Sequence, residues 1–391
     1  MLALRLARGA HPLVQLRRLL VAAASAGTGF MLLCTLAYAM EHPGAGAVLR
    51  LAWCLAPITA TVYFAVAVAR TDPGTRPRGG LSAVGLGPGR LAVLAAISTA
   101  VSCVLGSMVA LLFFLHLRGD ISGLPFDGAA TDLLAGGEPL PLAGALTLLA
   151  LVPAAASAAS ALVLRPRPVK ATGAVDGPAP AADPAAPARP PGGLPWGVAL
   201  LAAGLAVETY ASGSDGRARG GFPMPGGADG SPVGVLAGWA LTALGLVLAG
   251  PGLTYLSGRI LQAVRPGAAR LLAGRVLQEE ARRIGRPLGV LCAVASGAYA
   301  SLILYAGPSP RVGPLTTLGG LLVAGCAVLT LATAAVEAKQ SRSHTTGALL
   351  QLGAPATLLR GSAALRAGAL AAVFGPLTWI VAELAALPLA R

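Results

Sequence analysis

The sequence predicts an all-α protein, a polytopic bundle of about nine transmembrane helices, with eight to ten as the range. Of its 391 residues, 55% are hydrophobic and 11% are charged, and the mean hydropathy is +0.74. Soluble domains are about one quarter charged. Apolar runs of about 20 residues, the length that crosses a bilayer, recur along the whole chain. A soluble fold cannot bury this much apolar surface, so that class is excluded.

Hydropathy windows of about 19 residues locate the spans. In chain order they cover residues 19–40, 49–69, 91–117, 141–164, 195–211, 233–256, 287–306, 314–336 and 364–389. The fifth is the shortest. An odd number of spans would place the two ends of this sequence on opposite sides of the membrane.

The basic residues predict the orientation. Of the 29 Lys and Arg residues, 23 lie in alternate segments: 1–18, 70–90, 165–195, 257–286 and 337–366. Basic loops stay in the cytoplasm, so the N-terminus is expected inside, in a bacterial plasma membrane. The charge of +14 is explained by this placement, and with 4% aromatic residues nothing indicates nucleic-acid binding.

Composition also divides the chain. We predict a first module over residues 1–164, a Pro/Ala-rich cytoplasmic linker over 165–194, two intervening spans over 195–256 and a second module over 257–391. The linker shows no periodicity and is typical of an extended or disordered segment.

The two modules look like parallel repeats of three to four helices. Arg5-Leu6 and the pair Arg17-Arg18 precede the first span, and Arg270-Leu271 and Arg282-Arg283 precede the seventh at a constant offset of 265 residues. Small-residue loops, 85–91 and 352–358, then precede the third and ninth spans. An even number of spans separates the copies, which makes them parallel. Chance similarity in Ala/Leu/Gly-rich sequence is the alternative.

Catalytic and cofactor motifs are missing from the sequence. Neither Lys170 nor Lys339 follows a glycine, so there is no P-loop, and no HExxH or GxSxG motif occurs. The cysteines form no CxxC pair and no cluster with histidine, which predicts neither a metal site nor a disulfide framework. We therefore expect no enzyme, no catalytic residue and no cofactor.

Two carboxylates lie within the spans, Glu208 and Glu383, both toward the outer ends. Ion-coupled transporters usually keep a charged group near the bilayer midplane. The positions of these two weaken a secondary-transporter interpretation. A substrate contact in the outer leaflet and simple access to interfacial water both remain open for them.

Residues 266–286 predict an amphipathic helix along the cytoplasmic leaflet. Leu277, Ala281 and Ile284 follow helical spacing, and the charged positions fill the other face. These charged residues are Arg275, Glu279, Arg282 and Arg283, with Arg275 and Glu279 spaced for an ion pair. A basic topology anchor is the alternative.

The segment 337–362 predicts a docking surface. A polar stretch from Glu337 to His344 is followed by the apolar run 347–353, which Gly353 and Pro355 interrupt. A short cytoplasmic helix with an apolar face suits a soluble partner. A tight re-entry turn is the alternative.

This segment resembles the FtsX/MacB-like family of ABC transporter permeases. In that family a Glu and a basic run precede Ala-Leu-Leu-x-x-Leu-Gly-Ala-Ser. Here Glu337, Lys339 and Arg342 precede the run 347–355, Gly-Ala-Leu-Leu-Gln-Leu-Gly-Ala-Pro, and residues 81–87 carry a weaker version. The resemblance covers about two thirds of the chain, most closely residues 1–118 and 266–391.

The resemblance implies a permease that works with a separate cytosolic P-loop ATPase. A homodimer or a heterodimer with a second permease stays open. The resemblance places ATPase docking on Glu337, Gln351, Leu352, Gly353, Ala354 and Arg360, and on Gly85, Leu86, Gly87 and Arg90. The family's large extracytoplasmic domain is missing, since only residues 41–48 follow the first span, and the second module lacks a fourth helix. A secondary transporter with parallel repeats, or a membrane scaffold or immunity protein, are the alternatives.

Overall fold

A computed structural model describes residues 12–72, 88–121, 128–131, 134–165, 190–213, 233–263, 267–304, 313–353 and 355–387. Within these ranges the regular structure is helical, with no strand. Nine segments of the described chain are long and apolar enough to cross a membrane. The predicted all-α, multi-pass architecture is confirmed.

The helices follow the predicted spans but extend beyond several of them. In chain order they are α1 (Pro12–Glu41), α2 (Ala45–Trp53), α3 (Leu55–Thr71), α4 (Pro88–Arg118), α5 (Leu142–Leu164), α6 (Leu194–Gly213), α7 (Val233–Ala263), α8 (Ala268–Leu304), α9 (Pro314–Ser341), α10 (Ser343–Gln351) and α11 (Ala356–Ala386). Helices α2 and α3 together form the second span, and α10 is too short to cross.

The chain forms two compact units. The first contains α1 to α5 and the first twenty residues of α9, up to Thr333. Helix α1 packs against α4, and Ser25 Oγ donates a hydrogen bond of 2.9 Å to the carbonyl oxygen of Cys103. A Cβ on Gly106 would overlap the backbone of Ala22. Close backbone approach through small residues is how helices associate in lipid, where no hydrophobic force drives them together.

The second unit contains α6, α7, α8, α10, α11 and the end of α9. Helix α7 lies between α6 and α8, and α11 packs against α8. Both faces of α7 approach their neighbours at glycines: Gly238 and Gly245 meet α6, and Gly250 meets α8 at Gly285. Backbone-to-backbone packing therefore joins α6, α7 and α8, whereas α11 joins unit 2 through an apolar side-chain cluster with α7 and α8.

This division does not follow the boundaries drawn from composition. Helices α8 and α11 of the predicted second module pack in one unit with the intervening α6 and α7, while most of α9 packs with the first module. The linker 165–194 lies almost wholly outside the described residues.

The segment 266–286 also differs from the expected separate helix on the membrane surface. From Ala268 it is the first part of the continuous helix α8, which passes through Pro287 to Leu304. Its apolar face packs on protein, with Leu277 beside Gly258 of α7. Because α7 covers that face, the lipid surface is not needed to bury it.

Candidate partner-docking site

The short helix α10 and the turn that follows it form the candidate site. Helix α10 is joined to α9 through Arg342 and ends at Leu352, whose N–H donates to the Ala348 carbonyl oxygen. Gly353 has φ +85, the left-handed conformation that glycine adopts without strain. Pro355 then has the extended backbone that precedes α11. The expected short helix interrupted by Gly353 and Pro355 is present.

An apolar surface is exposed at the end of α10. The side chain of Leu352 is 84% exposed and that of Leu350 is 48% exposed, and Gln351 and Gly353 are exposed beside them. These residues lie outside the candidate spans. Leu350 and Leu352 thus form a small exposed apolar pair at the end of α10.

An ion pair connects the start of this site to α8. Arg342 Nη1 lies 3.2 Å from Glu280 Oε2, and the Glu280 side chain is only 8% exposed. Residue Arg342 directly precedes α10, so the pair fixes the entry to α10 relative to α8. A buried carboxylate needs such a partner.

The first unit has a similar connection between its first and second spans. Arg18 Nη2 lies 2.6 Å from Asp72 Oδ2, and Arg17 Nη1 donates a 3.2 Å hydrogen bond to Thr71 Oγ1. These contacts join the start of α1 to the end of α3. Each segment expected to dock a partner is thus close to an ion pair with the first helix of its module. In the first module Asp72 pairs with Arg18 of α1, and in the second Arg342 pairs with Glu280 of α8.

The other predicted docking residues are distributed differently. Glu337 is half-buried on α9, and Arg360 is exposed but belongs to α11 and not to a loop. Arg90 is exposed in the first turn of α4. Gly85, Leu86, Gly87 and Ala354 lie outside the described residues. The structure thus brings together Gln351, Leu352 and Gly353.

The arginines of the segment 266–286, which we term the basic lead, face outward, whereas Glu280 of the same segment is buried. Arg275, Glu279, Arg282 and Arg283 are exposed on α8, whereas Ala273, Leu277 and Ala281 on the other face are buried. The predicted amphipathic pattern is present in this helix. These exposed arginines can therefore contact polar groups outside unit 2.

A small cavity lies next to the Arg18–Asp72 pair. It is lined by side chains of α1, α3 and α4, including Ser98, Thr99 and Ser102, and its volume is about 20 Å³. That is room for about one water molecule. The cavity is a place for hydration of the ion pair and is too small for an organic substrate.

Sequence reasoning missed the environment of Glu208. It was expected near interfacial water, but its side chain is fully buried between α6 and α7. The available signal was the seven-residue spacing of the glycines, at 197 and 204 on α6 and at 238, 245 and 252 on α7. That spacing places each set on one face of its helix.

Comparison with family models, with curated proteins and with solved structures found no match. Among the described residues, no group of three or more His, Cys, Asp or Glu side chains is placed to hold a metal ion. The five cysteines are buried and unpaired. The geometry of the chain itself is therefore the basis for a functional proposal.

Proposed function

We propose that this chain is the membrane-spanning permease subunit of an ABC transporter, which couples ATP hydrolysis by a separate cytosolic P-loop ATPase to export or extraction of an amphiphilic substrate. The observation on which this rests is the exposed apolar end of α10, at Leu350 and Leu352, outside the spans. The resemblance of this segment to FtsX/MacB-like permeases supports the same partner.

The anchoring of α10 suits it to transmit force. A partner that pushes on Leu352 acts on a short helix whose entry is tied to α8 by the Arg342–Glu280 pair, and whose exit leads directly into α11. Both α8 and α11 belong to unit 2 and pack against each other. Movement of α10 would therefore be passed to two membrane helices at once.

The orientation follows the basic residues. We place the N-terminus and the α10 surface on the cytoplasmic side of a bacterial plasma membrane, since 23 of the 29 Lys and Arg residues lie in the alternate segments of that side. Two copies of the chain, or this chain and a second permease, would complete the transporter. The ATPase meets α10 on the cytoplasmic side, where ATP is available.

One contact supports the duplication. Thr61 Oγ1 of α3 lies 4.0 Å from Cys326 Sγ of α9, and the two positions are separated by 265 residues, the offset of the sequence repeat. If a two-fold axis relates α3 to α9, equivalent residues of the two helices meet at that axis. Parallel repeats have such an axis along the membrane normal.

We expect a Thr61→Cys variant to form a disulfide with Cys326 on mild oxidation. A protease site inserted in the linker 165–194 would separate the two halves, and non-reducing electrophoresis would show whether they stay joined. Thr59→Cys, exposed on the same helix, is the matched control and should not cross-link. Equal cross-linking of both variants would contradict the contact.

Docking is tested with the affinity-tagged full-length protein, isolated gently from its native membrane. We expect a P-loop ATPase, identified by mass spectrometry, to co-purify with the wild type. Leu352→Asp should reduce its recovery about tenfold or more, because a charge would enter a desolvated apolar contact. Leu271→Asp, at a 43% exposed leucine near the start of α8, is the control and should retain it.

The outcomes separate the candidate functions. Absence of any ATPase from the wild-type preparation would contradict the permease proposal and favour a secondary transporter or a scaffold. Unchanged recovery with Leu352→Asp would place the docking site elsewhere. The buried Glu208 is the observation that favours a secondary transporter as the second candidate.

A further inference from the structure

The antiparallel contact between α6 and α7 encloses a carboxyl side chain. A Cβ on Gly238 would overlap Glu208 Cγ, and a Cβ on Gly204 would overlap the hydroxyl of Thr242. Gly245 lies directly against the backbone at Leu201 in the same way. The helices therefore pack at backbone distance at Glu208 and over the two turns before it on α6, and the described residues leave no space in this contact for an organic ligand or a hydrated ion.

Among the described residues, the Glu208 carboxyl has one hydrogen-bond partner. Its side chain is 0% exposed, and Oε1 accepts a 3.0 Å hydrogen bond from Thr242 Oγ1. The second oxygen, Oε2, is buried and has no hydrogen-bond partner among the residues that the structure describes. An ionised carboxylate with a single neutral donor carries a desolvation cost of several kcal/mol.

No described charged side chain is placed to offset this cost. Helix α7 contributes Tyr255 and Arg259, which lie more than three turns beyond Thr242. On α6 itself, Tyr210 is 81% exposed.

Helix α11 also touches α6. Its charged residues are Arg360, Arg366 and Glu383. Arg360 is exposed, and Arg366 Nε donates a hydrogen bond to the Ser362 carbonyl oxygen. Glu383 accepts a 2.8 Å hydrogen bond from Tyr299. Residues 214–232 lie outside the described residues. None of the described groups contacts Glu208.

We propose that Glu208 is an intramembrane proton-binding site, protonated while α6 and α7 are packed and ionised when they separate. The proton is the one ligand that fits the closed contact. When the helices part, the O–H bond of the acid breaks and the proton passes to water. Glu208 lies five residues from the end of α6, about 8 Å along the helix, so that water is the interfacial layer nearby. Opening of this hairpin is thereby linked to proton release.

This inference is independent of the ATPase partner and is tested on the purified full-length chain in lipid nanodiscs. Infrared spectroscopy at neutral pH should show the C=O stretch of a protonated carboxylic acid, and Glu208→Gln should remove that band. Glu383→Gln removes the α11 carboxyl that accepts a hydrogen bond from Tyr299; it is the matched control and should leave the band unchanged. Absence of the band in the wild type, or its persistence in Glu208→Gln, would overturn the proposal.

A second variant tests the assignment without removing the carboxyl. Thr242→Val deletes the single hydrogen-bond donor, and the acid band should persist but move to higher frequency. An unchanged band position would show that the acid observed is not Glu208.

Proton linkage gives a third readout that does not depend on spectroscopy. A group that is protonated in the packed state and ionised in the opened state stabilises the packed state less as pH rises. The wild type should therefore lose thermal stability on going from mildly acidic to mildly alkaline buffer, and Glu208→Gln should lose measurably less. Identical pH dependence in the two proteins would contradict a proton site at Glu208.

Discussion

Replacing Gly250 by alanine should destabilise unit 2 by about 1–3 kcal/mol. The added Cβ would overlap the carbonyl oxygen of Gly285 and lie 3.3 Å from the Gly289 nitrogen. Both obstacles are backbone atoms of α8, which cannot move aside as the end of a flexible side chain can. Helices α7 and α8 would have to separate, and the contact between them is the largest in the unit. Thermal unfolding of the detergent-solubilised protein measures the effect.

Gly297→Ala is the matched control for this substitution. Gly297 is also on α8, but it is exposed and a Cβ there would meet no atom within 4 Å. Alanine is a better helix former than glycine by up to about 1 kcal/mol, so the control should be neutral or stabilising. Equal destabilisation by both variants would contradict the steric role of the α7–α8 contact, because a Cβ at Gly297 meets no neighbouring atom.

Replacing Arg342 by alanine should destabilise the protein by about 2 kcal/mol, because it leaves the Glu280 carboxylate buried without its cation. We expect less than the 3–5 kcal/mol known for fully buried pairs, since the Arg342 side chain is 28% exposed. The same thermal unfolding measurement applies. A second readout is the recovery of the proposed ATPase, which should fall if the entry to α10 is no longer fixed.

A double variant separates the ion pair from other effects of the substitution. Glu280→Gln in the Arg342→Ala background removes the unpaired charge and should recover part of the lost stability. Arg275→Ala is the control. Arg275 is exposed on α8, as Arg282 and Arg283 are, and its replacement should change the stability by no more than about 0.5 kcal/mol. If Arg342→Ala behaves like Arg275→Ala, the pair contributes nothing to the fold.

The helix ends show the limit of hydropathy. Windows place the start of the first span at residue 19 and that of the ninth at residue 364, whereas α1 begins at Pro12 and α11 at Ala356. A window detects apolar sequence, but the backbone continues its hydrogen bonding into the polar flanks. Helix α8 likewise continues through Pro287, because a helix packed against its neighbours tolerates a proline that would interrupt an isolated one.

The short helix α10 and the turn after it could be predicted in detail. Gly353 and Pro355 marked the end of α10 because few other residues suit a left-handed turn followed by an extended backbone. The pairing of Arg342 with Glu280 could not be predicted. The two residues are 62 positions apart, and five arginines lie nearer to Glu280 in its own segment, 266–286. Charge pattern alone does not choose among them.

The sequence by itself determined the all-α class, the nine candidate spans of the described residues and the short helix α10, because these depend on local apolar length and on turn residues. Only the tertiary structure decided that most of α9 packs in unit 1, that the basic lead continues into α8, and that Glu208 is enclosed between α6 and α7. The physical reason is that the membrane-spanning parts of these helices are apolar on most faces, so periodicity does not distinguish the side that meets lipid from the side that meets protein. That choice is made by backbone fit between particular pairs of helices, at glycines such as Gly238 and Gly250.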